Sequence, residues 1–134
     1  MSTIIWVALG GALGSVSRYL VAVGMMPVAH RAGIALPLWT LTVNLVGCFF
    51  VGLVASVLRA RAPVSGPELS VPLALLQVGF LGGFTTFSAF GLETVDLARA
   101  GAWPLALSYV LLHLVGGVVL CAAGMALGAI LSQR

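Results

Sequence analysis

Apolar residues run along this chain in stretches far longer than a strand or an ordinary soluble helix. Four such stretches can be drawn, at about residues 3–26, 38–58, 71–98 and 104–131. Each reaches the roughly 20 apolar residues that a helix needs to cross a bilayer, and none shows the alternation of a membrane β-barrel strand. Prolines and most charges fall in short connections at 27–37, 59–67 and 99–101. The pattern predicts one all-α integral membrane domain over residues 1–134, with four transmembrane helices.

The third stretch contains a segment that is unfavourable for a continuous helix. It reads Gly82-Gly83-Phe84-Thr85-Thr86, and each glycine inside a helix costs about 1 kcal/mol relative to alanine. Backbone groups freed by a break in a membrane helix must be buried in protein or line a cavity. We therefore expect a helix broken near 82–86 that forms a site for a small ion.

The composition agrees with this architecture and narrows the function. Hydrophobic residues make up 61% of the chain and charged residues only 7%, which leaves too much apolar surface for a small soluble fold to bury. The few acids, bases and nucleophiles are scattered and form no triad or metal cluster, so an enzyme is not expected. Cys48 and Cys121 both fall inside predicted spans, where packing is a better interpretation than a disulfide.

The charge pattern gives almost no preference for one orientation in the membrane. All six basic residues are arginines, and four spans would place three on the side of the termini and two or three on the other. The two groups are Arg59, Arg61 and Arg134 against Arg31 and Arg99, with Arg18 near the end of its span. Since a bias in positive charge sets topology, either half of the copies insert each way, which permits an antiparallel homodimer, or other signals decide.

Polar side chains within the spans share a capacity to donate hydrogen bonds. They are Asn44, Thr86, Ser88 and Tyr109, and we expect no lysine or carboxylate to lie beside them. A further stripe at helical spacing joins Tyr109, His113 and Gly117. Each residue alone is better explained by a hydrogen bond to a neighbouring group. As a set, they favour a pathway for a small anion.

Two phenylalanines strengthen this interpretation. Phe87 and Phe90 are three residues apart, so they share one face if a helix resumes after Gly83. Aromatic rings have a positive edge that can face an anion, and a helix that restarts there points free N–H groups at the break. Packing is the ordinary explanation for phenylalanines at this spacing.

Three motifs in the correct order make the chain similar to a known family. They are residues 10–19 (GGALGSVSRY), 40–47 (TLTVNLVG) and 79–90 (GFLGGFTTFSAF). On these motifs the chain resembles the CrcB/Fluc family of fluoride channels over essentially its whole length.

The resemblance implies an antiparallel, dual-topology homodimer with two fluoride pathways lined by both subunits. The positions that match fluoride-contacting residues are Phe87, Phe90 and Asn44. The resemblance also implies a structural sodium ion held by the backbone carbonyls of Gly82 and Thr85. Arg18 matches an arginine that could gather anions at a vestibule, although snorkelling to the interface is an equal explanation.

The implied activity is passive export of fluoride across the bacterial inner membrane, which lowers fluoride toxicity. Fluoride, sodium, the lipid bilayer and a second copy are the implied partners, and nucleic acid is not. The chain departs from the family pattern at Ala89, where threonine is usual, and at His113 and Gly117, where serine or asparagine is common. Because histidine titrates near neutrality, we expect conduction to be more sensitive to pH than in members that lack it.

Two alternatives remain to be compared with this interpretation. A proton-coupled small multidrug transporter has a similar size, but that class needs a glutamate in its first helix, and the first span here has none. Glu93 and Asp96 lie late in the third span, where a solvated or capping role is expected. A structural subunit without transport activity would not explain the predicted break.

Overall fold

Helices account for nearly all of the computed structural model, which describes residues 2–61 and 70–133 and contains no strand within them. Six elements are α-helical and two short segments have the wider turns of a π-helix. In chain order they are α1 (Ser2–Arg31), α2 (Leu38–Arg61), a first π-helical segment (Leu73–Leu81), α3 (Gly82–Phe84), α4 (Phe87–Arg99), α5 (Trp103–Leu111), a second π-helical segment (Leu112–Gly116) and α6 (Gly117–Ser132).

These elements join into four helical stretches that are long and apolar enough to cross a membrane. They are Thr3–Arg31, Leu38–Ala60, Leu73–Arg99 and Trp103–Ser132, and the last two are called the third and fourth spans below. The prediction of an all-α architecture with four membrane-spanning helices is confirmed for the described part of the chain.

The first helix is longer than the hydropathy pattern predicts. The pattern ends the first span near Met26, whereas α1 continues through Pro27 to Arg31. Proline removes one backbone N–H, but membrane helices tolerate it where neighbouring groups satisfy the freed carbonyl. Most of the predicted connection at 59–67, and Arg134, lie outside the described residues, so the comparison of arginines on the two sides stays a prediction.

Glycine stripes bring the helices into close backbone contact. Helix α2 packs along α6, and α1 packs along the first π-helical segment and α3. A Cβ atom added at Gly10 or Gly14 would collide with the backbone of the third span, and one added at Gly124 would collide with the Phe49 carbonyl of α2. Small residues at these positions therefore set the distance between helices, as in other membrane bundles.

The exterior of the described chain is as apolar as its interior, unlike that of a soluble fold. Large apolar side chains cover the outside, with Ile4 72% and Val118 71% exposed. The fully buried positions include Tyr109 and Thr40, both of which carry hydroxyl groups. An apolar exterior of this kind needs lipid or another protein surface against it.

Replacement of Gly14 by alanine should destabilise the protein by about 1–3 kcal/mol, because the added methyl group overpacks a backbone contact. The nearest atom in its way is the carbonyl oxygen of Phe80, which cannot move as a side chain can. Thermal unfolding in detergent, followed by circular dichroism, measures the change. Gly24→Ala in the same helix is the matched control, since nothing lies within 4 Å of its Cβ position. Equal losses in the two variants would contradict the packing role of Gly14.

Candidate functional site

Two extended residues interrupt the helical geometry of the third span. Helix α3 ends at Phe84, and α4 begins at Phe87. Between them Thr85 has φ −85° and ψ 158°, and Thr86 has φ −150° and ψ 111°. Thr86 also caps α4, because its hydroxyl oxygen accepts a hydrogen bond from the Ala89 N–H at 3.2 Å.

Asn44 holds this extended pair from the neighbouring helix α2. Its side-chain Oδ1 accepts from the Thr86 N–H at 2.8 Å, and its Nδ2 donates to the Thr86 carbonyl at 3.1 Å. One amide side chain thus satisfies both polar groups of a residue that lies outside any helix. Since an amide nitrogen carries two hydrogens, one donor of Nδ2 remains beyond the bond to Thr86.

Because of these bonds, two backbone N–H groups do not donate to the carbonyls that they would meet in a regular helix, those of Gly82 and Thr85. In a continuous helix the Thr86 N–H would donate to Gly82 and the Ala89 N–H would donate to Thr85. Instead, Thr86 donates to Asn44 and Ala89 donates to the Thr86 hydroxyl. Two backbone oxygens are therefore relieved of their helical donors. Oxygen donors of this kind fit a hard cation such as sodium.

An aromatic cluster begins at the first turn of α4. The ring centroids of Phe87 and Phe90 lie 5.4 Å apart at 52°, and Phe90 lies 5.7 Å from Tyr109 and 4.4 Å from His113. Phe90 is only 8% exposed, whereas Phe87 is 80% exposed. The tilted arrangement turns ring edges as well as faces toward the neighbouring groups.

Glu93 lies one turn further along α4 and accepts three hydrogen bonds. Its donors are Tyr109 Oη at 2.6 Å, Thr40 Oγ1 at 2.9 Å and Trp39 Nε1 at 3.1 Å. Two expectations are therefore wrong: that Glu93 is solvated or caps a helix, and that no carboxylate lies beside Tyr109. Its carboxylate joins α2, α4 and α5, because a carboxylate placed among helices needs donors around it.

His113 packs between Phe90 and Tyr109 in the fourth span. Its Nδ1 lies 2.9 Å from the carbonyl oxygen of Tyr109, and the two rings meet edge to face at 4.4 Å. Its Nε2 is buried and has no hydrogen-bond partner among the described residues.

A cavity of about 520 Å³ joins most of the predicted site residues. Those that line it are Asn44, Gly82, Thr85, Thr86, Phe87, Phe90 and His113. Three predicted site residues do not line it. Tyr109 is fully buried and packs against His113. Ser88 is exposed and its hydroxyl lies 3.2 Å from that of Thr86, and Arg18 lies half-buried in α1.

Two further lining residues were not assigned to the site in the sequence interpretation. They are Gln77 and Cys48. Gln77 is the only polar side chain in the segment Leu73–Leu81, and an isolated amide in an apolar span is a signal that could have identified it. Cys48 gave no such signal, because cysteine behaves as a small apolar residue.

The arrangement is suited to a small anion that exchanges water for weak donors. The Asn44 amide and the ring edges of two phenylalanines meet in one space, and α4 begins there with its positive dipole end. The cavity lining contains no lysine, arginine or carboxylate. An anion in it would be held by dipoles and not by a full charge.

Comparison with known proteins gives a consistent result over the length of the chain. Residues 5–125 match the family described as CrcB-like protein, Camphor Resistance (CrcB). A protein of Magnetococcus marinus is 44% identical over 97% of both chains, and one of Agrobacterium fabrum is 44% identical over 96% of this chain and 97% of its own. One of Saccharophagus degradans is 38% identical over 99% of this chain and 92% of its own. All three are named fluoride-specific ion channel FluC.

Replacement of Asn44 by leucine should loosen the extended pair, because the N–H and carbonyl of Thr86 both lose their partner. Leaving such groups unsatisfied costs about 1–3 kcal/mol each. Hydrogen exchange at the Thr86 amide should be faster than in the parent protein. In Asn44→Asp an acceptor for that N–H remains, so exchange there should stay closer to the parent rate. Unchanged protection in Asn44→Leu would contradict the role given to this side chain.

Proposed function

Because the chain belongs to the CrcB family, we propose that it is a fluoride-selective channel that lets fluoride leave the cytoplasm passively. The observation that carries this proposal is the cavity beside Thr85 and Thr86, where an amide donor and two phenylalanine rings meet without a charged side chain. Relatives of nearly the same length that are named fluoride-specific ion channels support it.

The chemistry of fluoride explains why weak donors suffice. The ion is small and strongly hydrated, so a pathway must replace its water in steps. Asn44, Phe87 and Phe90 supply an amide N–H and ring edges around the cavity, while Thr86 and Ser88 supply hydroxyls at the start of α4. A narrow path with several weak sites would disfavour larger anions and still let fluoride leave.

Tyr109 and His113 continue the proposed path along the fourth span. Tyr109 is fully buried and its hydroxyl is bonded to Glu93, while His113 lines the cavity beside Phe90. The Tyr109 hydroxyl donates to Glu93, and that carboxylate is not among the groups that line the cavity beside Asn44. Arg18 would attract anions toward a vestibule by long-range attraction.

Passive flow follows from the gradient that fluoride meets in a cell. The acid crosses the bilayer in its neutral form, ionises in the cytoplasm and leaves as the anion through the channel. Flow in this direction would lower intracellular fluoride and its toxicity. We place the protein in the bacterial inner membrane, where its four apolar spans would cross the bilayer.

We further propose that two chains associate as an antiparallel homodimer of dual topology, with the break in each third helix lining the pathways. The nearly even arginine count supports insertion in both orientations. Phe87 supports a second copy, because a pathway residue that is 80% exposed in one chain needs another surface to enclose it. The apolar exterior provides area for such a contact.

A structural sodium ion would be held by the carbonyls of Gly82 and Thr85 from each chain. The support is that the N–H groups that would donate to these two carbonyls in a regular helix donate instead to Asn44 and to the Thr86 hydroxyl. A bound cation would supply positive charge between two broken helices and stabilise the association.

The alternative of a proton-coupled multidrug-type transporter has little to support it. Helix α1 carries no acidic residue, and Glu93 is engaged by three donors. None of the three relatives described above is named as a transporter of that kind.

Reconstituted protein should release fluoride from liposomes loaded with potassium fluoride when valinomycin carries the compensating potassium. A fluoride electrode follows the efflux, and liposomes loaded with chloride should retain it. Phe90→Ile should slow fluoride efflux by about three- to tenfold, the range expected for loss of an aromatic contact. Leu92→Ile is the matched control, because Leu92 lies in the same helix, is 64% exposed and does not line the cavity.

Several outcomes would contradict the proposal. Absence of fluoride efflux from folded protein would overturn the channel function. Equal fluoride and chloride efflux would overturn the selectivity. The same liposomes test the proposed sodium ion. Fluoride efflux or the fraction of dimer should fall when sodium is replaced by N-methylglucamine throughout purification. If both stay unchanged, the sodium site is contradicted.

Dual topology predicts that a cysteine at position 100 is accessible from both sides of the membrane. Ala100 lies exposed in the turn between α4 and α5, so Ala100→Cys should be labelled when Cys48 and Cys121 are replaced by alanine. In the cells that express the protein, about half of the chains should react with an impermeant maleimide before the cells are lysed, as expected without a positive-charge bias. The other half should react only after lysis. Complete labelling, or none, before lysis would contradict dual topology.

A further inference from the structure

His113 has one ring nitrogen engaged and the other free. A carbonyl oxygen only accepts hydrogen bonds, so the contact between Nδ1 and the Tyr109 carbonyl at 2.9 Å requires the proton to be on Nδ1. In the neutral ring Nε2 then carries a lone pair and no proton. It is buried and has no partner among the described residues, which is unusual for a buried polar atom.

The ring of His113 also forms part of the wall of the cavity that we assign to fluoride. It packs 4.4 Å from Phe90, and Asn44 lines the same space. Because Nε2 is covered in this structure, the ring has to turn for an anion in the cavity to reach it, and an unprotonated lone pair would then be unfavourable, since both are electron-rich. A proton on Nε2 would reverse the effect, because the imidazolium adds a donor and a positive charge.

Tyr109, Glu93 and Cys48 are titratable groups on the elements that pack around His113. Tyr109 packs against it from the same span, Glu93 lies on α4 and accepts from Tyr109, and Cys48 of α2 lines the same cavity. Both carboxylate oxygens of Glu93 are already engaged by donors other than His113. Among the residues that line the cavity, His113 is the only one with a basic side chain.

We propose that His113 binds a proton at Nε2 and then donates that N–H to fluoride beside Phe90, so that proton binding and fluoride binding favour each other. This inference rests on the proposed fluoride channel. The proton is taken up from the aqueous phase through the pathway and stays on the ring while the anion is bound. No covalent bond forms to fluoride, and the ion continues when the hydrogen bond breaks. Each ligand must raise the affinity for the other by the same factor.

Nuclear magnetic resonance of the histidine rings tests the coupling without any transport. The chain has two histidines, and His30 is an exposed internal control at the end of α1. In protein labelled with ¹³C-histidine, fluoride should move the titration midpoint of His113 to higher pH, while chloride should not. His30→Gln assigns the two signals. A His113 midpoint that is equal in fluoride and chloride would overturn the inference.

Fluoride efflux gives a second, independent test. Between pH 8 and pH 5.5 the flux through the parent protein should rise by about fivefold, the lower end of typical coupling between sites. His113→Gln keeps an amide donor but cannot take up a proton, so its flux should be nearly independent of pH. His30→Gln should behave like the parent, and liposomes without protein correct for the leak of neutral acid.

The outcomes separate the two proposals. No fluoride efflux from the parent at any pH would defeat the channel function itself. Fluoride efflux with the same pH profile in the parent and in His113→Gln would defeat only the role of His113. If His113→Gln does not fold, the comparison of the His113 ring titration in fluoride and in chloride, made on the parent protein, tests the role of His113.

Discussion

The pair of hydrogen bonds between Asn44 and Thr86 is the interaction on which the site depends. An extended backbone inside a membrane bundle is costly unless its polar groups find partners, and one side chain supplies both. With Thr86 fixed in this way, its hydroxyl can cap α4. The start of α4 then determines where Phe87 and Phe90 lie.

The helix that begins at Phe87 carries the rest of the site. Phe90 reaches the rings of Tyr109 and His113, and Glu93 one turn later joins three donors from two other spans. The carboxylate fixes the Tyr109 hydroxyl, while the Tyr109 carbonyl fixes the tautomer of His113. Polar side chains of α2, α4 and the fourth span thus meet on either side of Phe90, with Asn44 and Thr86 in one hydrogen-bonded set and Glu93 with its donors in another.

Close contacts between helices allow a chain of this length to enclose the polar groups around Asn44 and Glu93. Glycines on α1 and α6 let backbones meet directly, which leaves the larger side chains for the exterior and the cavity. A single chain leaves Phe87 exposed, so the proposed second copy and the proposed fluoride path are linked. Phe87 lines the same cavity as Asn44 and Phe90, so the surface proposed to meet a second copy also carries the proposed fluoride site.

The sequence by itself determined the all-α architecture and the four spans, because hydropathy and length are local properties of the chain. It also indicated Asn44, Phe87, Phe90 and His113 as candidates from residue type and spacing. The three donors of Glu93, the lining position of Gln77 and the unpartnered Nε2 of His113 came only from the tertiary structure. The reason is physical: Asn44 and Thr86 lie 42 residues apart, and the direction in which a polar group points within a bundle depends on which helices face each other.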